Sequence, residues 1–440
     1  MMDILIKAAQ FVFSLSILIV AHEMGHFLFA KLFKTRVEKF YLFFDPWFSL
    51  FKLKKGETEY GVGWLPLGGY VKISGMIDES MDREQMKQPP QSWEFRSKPA
   101  WQRLLIMVAG VLVNFVMALF IYSMIMYVWG KEYVPMQNAI YGYRFCNTAL
   151  SNGFQNGDRI VAVDGQTYEM IPDAFNAIII GNAQTVTVER EGQTIDVMLP
   201  VDFSARYLEA NERGFAFLNF PWVVDRTVSG SPAEKAGLQQ GDRMTAVNDT
   251  PTPLFDTFAA EIKKHAGQPV QVTIQRNGET QIVSLNVAQD STIGIYMQRP
   301  EITLNANHIH YSFRESFPAG IRFGVDKLTT YVKSLGLLFS KEGVKQLGGF
   351  IAIGNFFPAT WDWLSFWELT AFLSLILAFM NILPIPALDG GHVLFILFEI
   401  ITGRKPSDKF LENAQIAGMI VLIGLLLLAN GNDVIRLFQK

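Results

Sequence analysis

His22, Glu23 and His26 stand in VAHEMGHFLF, residues 20–29, a stretch otherwise suited to a lipid interior. On a helix, positions i and i+4 share one face, so both imidazoles can reach one metal ion while Glu23 lies beside a water that the ion would activate. This is the HExxH spacing of zinc hydrolases. Ionisable groups at membrane depth are costly and ordinarily face a cavity or one another, which makes a functional site the default. Histidines that only hydrogen-bond within a core would leave Glu23 unexplained. A catalytic zinc takes three protein ligands and keeps one position for water, so another donor must come from a different segment. The single cysteine, Cys146, allows neither an internal disulfide nor a thiolate cluster. Asp389, in NILPIPALDGGH at 381–392, is the best candidate. It ends an apolar run, and Pro384, Pro386, Gly390 and Gly391 break helix regularity where its carboxylate can turn inward.

These residues need elements that hold them inside a bilayer. Of 440 residues, 50% are hydrophobic and only 18% charged, with a mean hydropathy of +0.20, which is too apolar for an ordinary soluble chain. The net charge of −3 offers no basic excess for nucleic acid. Four runs reach the length a helical span needs: about 8–32, 104–130, 369–388 and 414–429. The first is not expected to be a cleaved signal peptide, because Lys31, Lys34, Arg36 and Lys39 follow its apolar core instead of preceding it. Those basic residues, with Arg404, Lys405 and Lys409, favour the cytoplasmic side. The amino terminus, residues 131–365 and the carboxyl terminus then lie on the opposite face. At about 1.5 Å per residue, His22 sits roughly 13 Å from the basic edge at Lys31.

The long segment carries an internal repeat. GFQNGDRIVAVDGQ from Gly153 recurs as GLQQGDRMTAVNDT from Gly237, 84 residues on, and VTVEREG from Val186 recurs as VTIQRNG from Val272, 86 residues on. Each copy reads as a strand-rich unit with a hairpin turning at Glu-Gly or Asn-Gly. SPAEKAGLQQGD, 231–242, resembles a PDZ domain of the type found in bacterial envelope proteases, and NTALSNGFQNGD matches more loosely. The resemblance implies binding of chain ends or extended peptides by strand addition, with spacer domains that only limit access as the alternative. RGFAFL, 213–218, is the candidate carboxylate-binding loop of the second copy.

Together, the transmembrane HExxH, an uncharged second span, the PDZ pair and NxxPxPxLDGGH resemble the site-2 protease family of intramembrane zinc metalloproteases. The fold class implied is a polytopic membrane protein: four transmembrane helices form a metalloprotease core, and two α+β PDZ domains are inserted between the second and third helices. The domain reading is 1–130 for the first half of the core, including a membrane hairpin at 40–75. The PDZ copies follow at 131–210 and 211–305, an amphipathic connector at 306–365 and the second half of the core at 366–440. The resemblance implies His22, His26 and Asp389 as zinc ligands, Glu23 as general base, and Asn381 as a contact to the substrate backbone. It further implies cleavage within single-pass transmembrane substrates, such as pre-trimmed anti-sigma factors and leftover signal peptides. The location implied is the bacterial inner membrane, with periplasmic PDZ domains and the site near the cytoplasmic side.

EYGVGWLPLGGYVKI, 59–73, reads as two short strands around Pro66 and a Gly68-Gly69 turn. In the family a hairpin here enters the membrane and pairs with the unwound substrate, which makes Gly68 and Gly69 substrate-binding candidates. Three segments depart from the family pattern: YLFFDPWFSLF at 41–51 lacks a glycine-rich turn, QLGGFIAI at 346–353 lacks a proline, and Asn248-Asp249 replaces Asn-Gly. Residues 312–339 have near-helical spacing and can lie along the membrane surface or form an ordinary linker helix. His308 and His310 are expected to be solvated. A membrane metal carrier and a non-catalytic PDZ scaffold are the alternatives. A carrier has no need of Glu23 as a base, and a scaffold has no need of metal.

Overall fold

The computed structural model describes residues 2–66, 68–76, 88–210, 212, 214–338 and 348–438. It forms two compact units, one of residues 1–130 with 310–440 and the other of 131–309. In the first unit, four helices are long and apolar enough to cross a membrane: α1 (Met2–Leu32), α2 (Ala100–Val128), α4 (Trp363–Ile382) and α6 (Asp408–Phe438). Helix α3 (Phe313–Leu338) and α5 (Asp389–Thr402) complete the set used below.

Lipid tails supply no hydrophobic drive between helices, so spans are held by close packing and polar seams. Both are present here. A β-carbon on Gly25 of α1 would lie 2.5 Å from the Ala109 carbonyl oxygen of α2, so this glycine lets the two backbones touch. Ser14 meets Thr370 at 2.9 Å, Ser374 donates to the Asn114 carbonyl at 2.8 Å, and Gln10 donates to the Pro358 carbonyl at 2.8 Å. All four side chains are buried, and together they tie α1, α2 and α4 into one bundle.

The third apolar run differs from its expected extent. α4 ends at Ile382 and Asp389 opens α5, with residues 383–388 as an irregular link. Pro384 and Pro386 lack the amides a helix needs there, while hydropathy alone runs straight through the break. α5 has 14 residues, too few to span on its own. α3 also departs from a surface placement. It runs antiparallel along α2, with Phe313 against Tyr127 and Phe323 against Tyr122, and a β-carbon on Gly324 would lie 2.7 Å from Leu119. Residue 339 of that segment, and 346–347 of QLGGFIAI, lie outside the described residues.

Between α1 and α2 lies a four-stranded sheet of β1 (Val37–Leu42), β2 (Phe44–Lys55), β3 (Thr58–Leu65) and β4 (Tyr70–Ile73), in the order β2-β3-β1-β4. The strands expected around Pro66 exist, yet they are not partners. β1 lies between them, parallel to β3 and antiparallel to β4. Tyr41 of β1 explains the insertion: it stacks on Tyr70 and donates to Glu59 at 2.7 Å, and its ring fills the space a side chain at Gly61 would need. The true hairpin joins β2 to β3 through Gly56, whose φ of +64° suits the tight turn. Leu67 lies outside the described residues.

The second unit contains two hydrophobic cores, one spanning Met136 to Phe215 and the other Val224 to Ile293. The repeat is visible as duplicated chemistry. Arg190 bonds Asp158 and the Gly153 carbonyl, and Arg276 bonds Asp242 and the Gly237 carbonyl. Glu191-Gly192 and Asn277-Gly278 make the matching hairpin turns with positive φ throughout. Asn248 also takes positive φ, and its side-chain oxygen accepts from the Gln271 amide at 2.9 Å, which fixes the turn without a glycine. Strand 216–218 pairs with 143–145, and Phe215 belongs to the first core. The packing boundary between copies therefore falls after Leu218 and not after residue 210. RGFAFL, whose Arg213 is outside the described residues, goes with the first copy. Its counterpart in the second is strand 295–297, paired with 224–227. His308 lies on an exposed strand paired with 131–133.

Candidate metal centre

α1 carries His22, Glu23 and His26 through its apolar middle as one unbroken helix, so i,i+4 spacing places both rings on one face. The rings stand nearly perpendicular at 82°, with centroids 4.8 Å apart. Space for them comes from α2, where a β-carbon on Gly110 would overlap the His26 ring and lie 2.9 Å from His22 Cε1. Asp389 arrives from the start of α5. Its approach depends on a tight link, since β-carbons on Gly390 and Gly391 would collide with the backbone of residues 382–386.

The three donor atoms form a nearly equilateral triangle. His22 Nε2 lies 3.1 Å and His26 Nε2 3.3 Å from Asp389 Oδ2, and the two Nε2 atoms are 3.3 Å apart. Ligands about 2.0 Å from a tetrahedral zinc are separated by about 3.3 Å, so these three atoms match one face of such a tetrahedron. The Asp389 oxygen is buried and has no hydrogen-bond partner. An anionic atom in that state is costly unless a cation satisfies it. The donor set of two imidazoles and a carboxylate, at these separations, fits zinc.

Outer contacts orient the rings. His26 Nδ1 lies 2.8 Å from the Ile106 carbonyl, an acceptor only, so the proton sits on Nδ1 and the Nε2 lone pair faces the triangle. The Asn114 carboxamide, fully buried on α2, stands 3.4 Å from His22 Nδ1. Its Oδ1, otherwise without a partner among the described residues, is the atom that can accept an Nδ1 proton and leave Nε2 free for metal. Both histidines thus have an outer partner on α2. Asn114 and Gly110 were missed in the sequence, although a glycine and an asparagine one helical turn apart in an uncharged span were a usable signal.

Glu23 faces a cavity of about 500 Å³ that also reaches His22, His26, Asp389 and Asn381. Asn381 Nδ2 is 3.5 Å from His22 Nε2. β4 bounds the same cavity, as do Gly68 and Gly69 before it. A β-carbon on Gly69 would collide with Ile19 of α1 and the Tyr41 carbonyl, and would lie 3.6 Å from Glu23 Cγ. That glycine therefore lets the sheet edge close onto α1. A β-carbon on Gly68 would lie 2.7 Å from the Phe44 ring of β2. All seven expected site residues line this one cavity. Among its other lining residues are the polar side chains of His392 and Gln415, for which the sequence alone suggests no role.

The link before Asp389 is strained. Ala387 has φ of +79°, which for a residue with a β-carbon costs about 1–2 kcal/mol. Such strain persists only where its surroundings enforce it.

Comparison with known proteins gives one consistent result. The model of peptidase family M50 matches residues 10–425. A regulator of sigma E protease from Haemophilus influenzae is 29% identical over 462 residues, covering 99% of this chain and all of the relative. Protease RseP of Yersinia pestis is 28% identical over 463 residues with the same coverage. A Neisseria meningitidis serogroup A protein that carries a zinc metalloprotease name is 29% identical over 451 residues, with 97% of this chain and 98% of the relative aligned.

Proposed function

The chain belongs to peptidase family M50 and is a zinc metalloprotease with membrane-spanning character, and from that premise we propose that it cleaves peptide bonds inside transmembrane segments of other membrane proteins. His22, His26 and Asp389 hold the zinc, and Glu23 is the general base. The observation that carries this reading is the buried Asp389 oxygen, set between two imidazole nitrogens at 3.1 Å and 3.3 Å with no hydrogen bond of its own. A zinc ion in this site supplies Lewis acidity, which lowers the pKa of water towards neutrality and polarises a peptide carbonyl.

The chain's own residues do the rest. Glu23 takes a proton from the attacking water and returns it to the leaving amine. Asn381 offers its amide to the substrate backbone from the cavity wall. A helical substrate hides its peptide bonds and must unwind, and its freed amides and carbonyls then need partners. β4 is an outer strand beside Glu23, flanked by Gly68 and Gly69, and can supply them by strand addition. β2 supports insertion of the sheet at the interface, because it exposes Trp47, Phe48, Leu50 and Phe51 just before Lys52, Lys54 and Lys55.

The site then lies near the cytoplasmic side of a bacterial inner membrane, and residues 131–309 form a periplasmic pair of PDZ domains. Strands 216–218 and 295–297 are the places where chain ends or peptides would add. The substrates are single-pass segments, among them trimmed anti-sigma factors and signal-peptide remnants, in envelope stress signalling. One comparison tests the enzyme reading against a carrier or scaffold: zinc content and cleavage of a model transmembrane substrate for the parent and for Glu23→Gln. The variant is expected to hold zinc and to lose cleavage. Cutting at the parental rate would remove Glu23 from the mechanism, and a zinc-free parent would remove the metal.

A further inference from the structure

The last helix is remote in sequence from the HExxH turn and carries no residue so far given a role, yet it grips the link that delivers Asp389. Between the end of α4 and the start of α5, Ile385 donates its amide to the Leu383 carbonyl at 2.7 Å and Leu388 donates to the Ile385 carbonyl at 3.0 Å. Pro384 and Pro386 have no amide to place. The amide of Ala387, whose backbone is left-handed, is bound to neither of these carbonyls. It donates instead to Gln415 Oε1 of α6 at 3.2 Å, and Gln415 is itself buried at 5% exposure. One turn further along the same face, Gly418 admits the Pro386 carbonyl into a place a β-carbon would occupy. Two residues one turn apart on α6 thereby contact Pro386 and Ala387, with only Leu388 between them and Asp389.

We infer that Gln415 is a positioning residue for the metal centre: its side-chain carbonyl holds the left-handed Ala387 and so keeps the Asp389 carboxylate within reach of His22 and His26. A left-handed backbone at a residue with a β-carbon persists only where its surroundings enforce it, and the Gln415 acceptor is one of those surroundings. The Gln415 carboxamide touches neither imidazole in this arrangement and acts only through the backbone. The inference rests on Asp389 being a zinc ligand, as proposed above.

Zinc affinity, read by chelator competition on the full-length protein in detergent, tests it in four variants: Q415M, Q415E, D389A and the Q415M/D389A double variant. Q415M removes the acceptor at similar volume and is expected to weaken zinc binding about tenfold to a hundredfold, the usual effect of losing an outer partner. Q415E keeps the Oε1 acceptor and should stay within about threefold of the parent. D389A should lose more than Q415M. Adding Q415M to D389A should cost nothing further, because a residue that works through Asp389 has nothing left to position. Parental affinity in Q415M with a loss in D389A overturns the inference, as does an equal cost of Q415M in both backgrounds. Parental affinity in D389A instead overturns the ligand assignment beneath it. Should Q415M fail to fold, the same cycle is read with Q415N, whose shorter side chain withdraws the acceptor while keeping the amide.

Discussion

Gly110 of α2 faces His26 of α1 so closely that a β-carbon at position 110 would overlap the imidazole Nε2. The histidine proposed to bind metal is thus placed by the absence of a side chain on its neighbour. The same glycine leaves room for His22, whose Cε1 would lie 2.9 Å from that β-carbon. Gly110→Ala is therefore expected to push both rings off the donor triangle. Overpacking of this kind costs about 1–3 kcal/mol, and zinc affinity should fall in parallel. A variant that binds zinc as the parent does, with an unchanged unfolding temperature, would show that the helices can separate without disturbing the site.

Removing the metal should expose the cost of a buried carboxylate. Zinc at about one hundred times its dissociation constant stabilises the folded state by about 2.7 kcal/mol. A chelator should accordingly lower the unfolding temperature of the parent. Asp389→Asn keeps the shape without the charge and should already be insensitive to chelator. Equal chelator shifts in parent and variant would argue against Asp389 as a ligand.

Cys146 should be chemically quiet. Burial and a hydrogen bond to Glu212 push its thiol up to about 12, against about 8.5 for a free cysteine. At pH 8 the thiolate fraction, and with it alkylation, should be roughly a thousandfold lower in the folded chain than in denaturant. The thiol binds its proton more tightly when folded, so its contribution to stability is full below pH about 8.5 and declines as pH rises towards about 12. Alkylation at the same rate with and without denaturant would contradict this.

The duplicated ion pairs should be local in effect. Asp242 is fully buried and is held by two guanidinium bonds of 2.7 Å each from Arg276. Arg276→Met leaves that carboxylate unpaired and should cost about 3–5 kcal/mol. Hydrogen exchange should quicken across residues 224–295, while Asp158 and Arg190 keep the first copy protected. Equal loss of protection in both copies would mean that the two cores fold as one.

Several features were legible in the chain because they depend on short-range spacing. Two histidines four residues apart share a helix face whatever surrounds them. Apolar runs declare spans by length, and duplicated Gly-Asp and hairpin turns announce a repeat, since those backbone shapes demand particular residues. Asp389 was legible as a candidate, because prolines and glycines at the end of an apolar run mark a break.

Other features were decided only in three dimensions. Whether Asp389 meets His22 and His26, that β1 comes between β3 and β4, and that α3 lies along α2 all depend on contacts between distant segments. Local propensity does not encode these contacts. The same is true of Asn114 beside His22 and of Gln415 beneath Ala387, since a polar residue in an apolar helix acquires its partner only when another helix packs against it. In a bilayer that pairing carries particular weight, because a buried amide or carboxylate without a partner has no water to turn to.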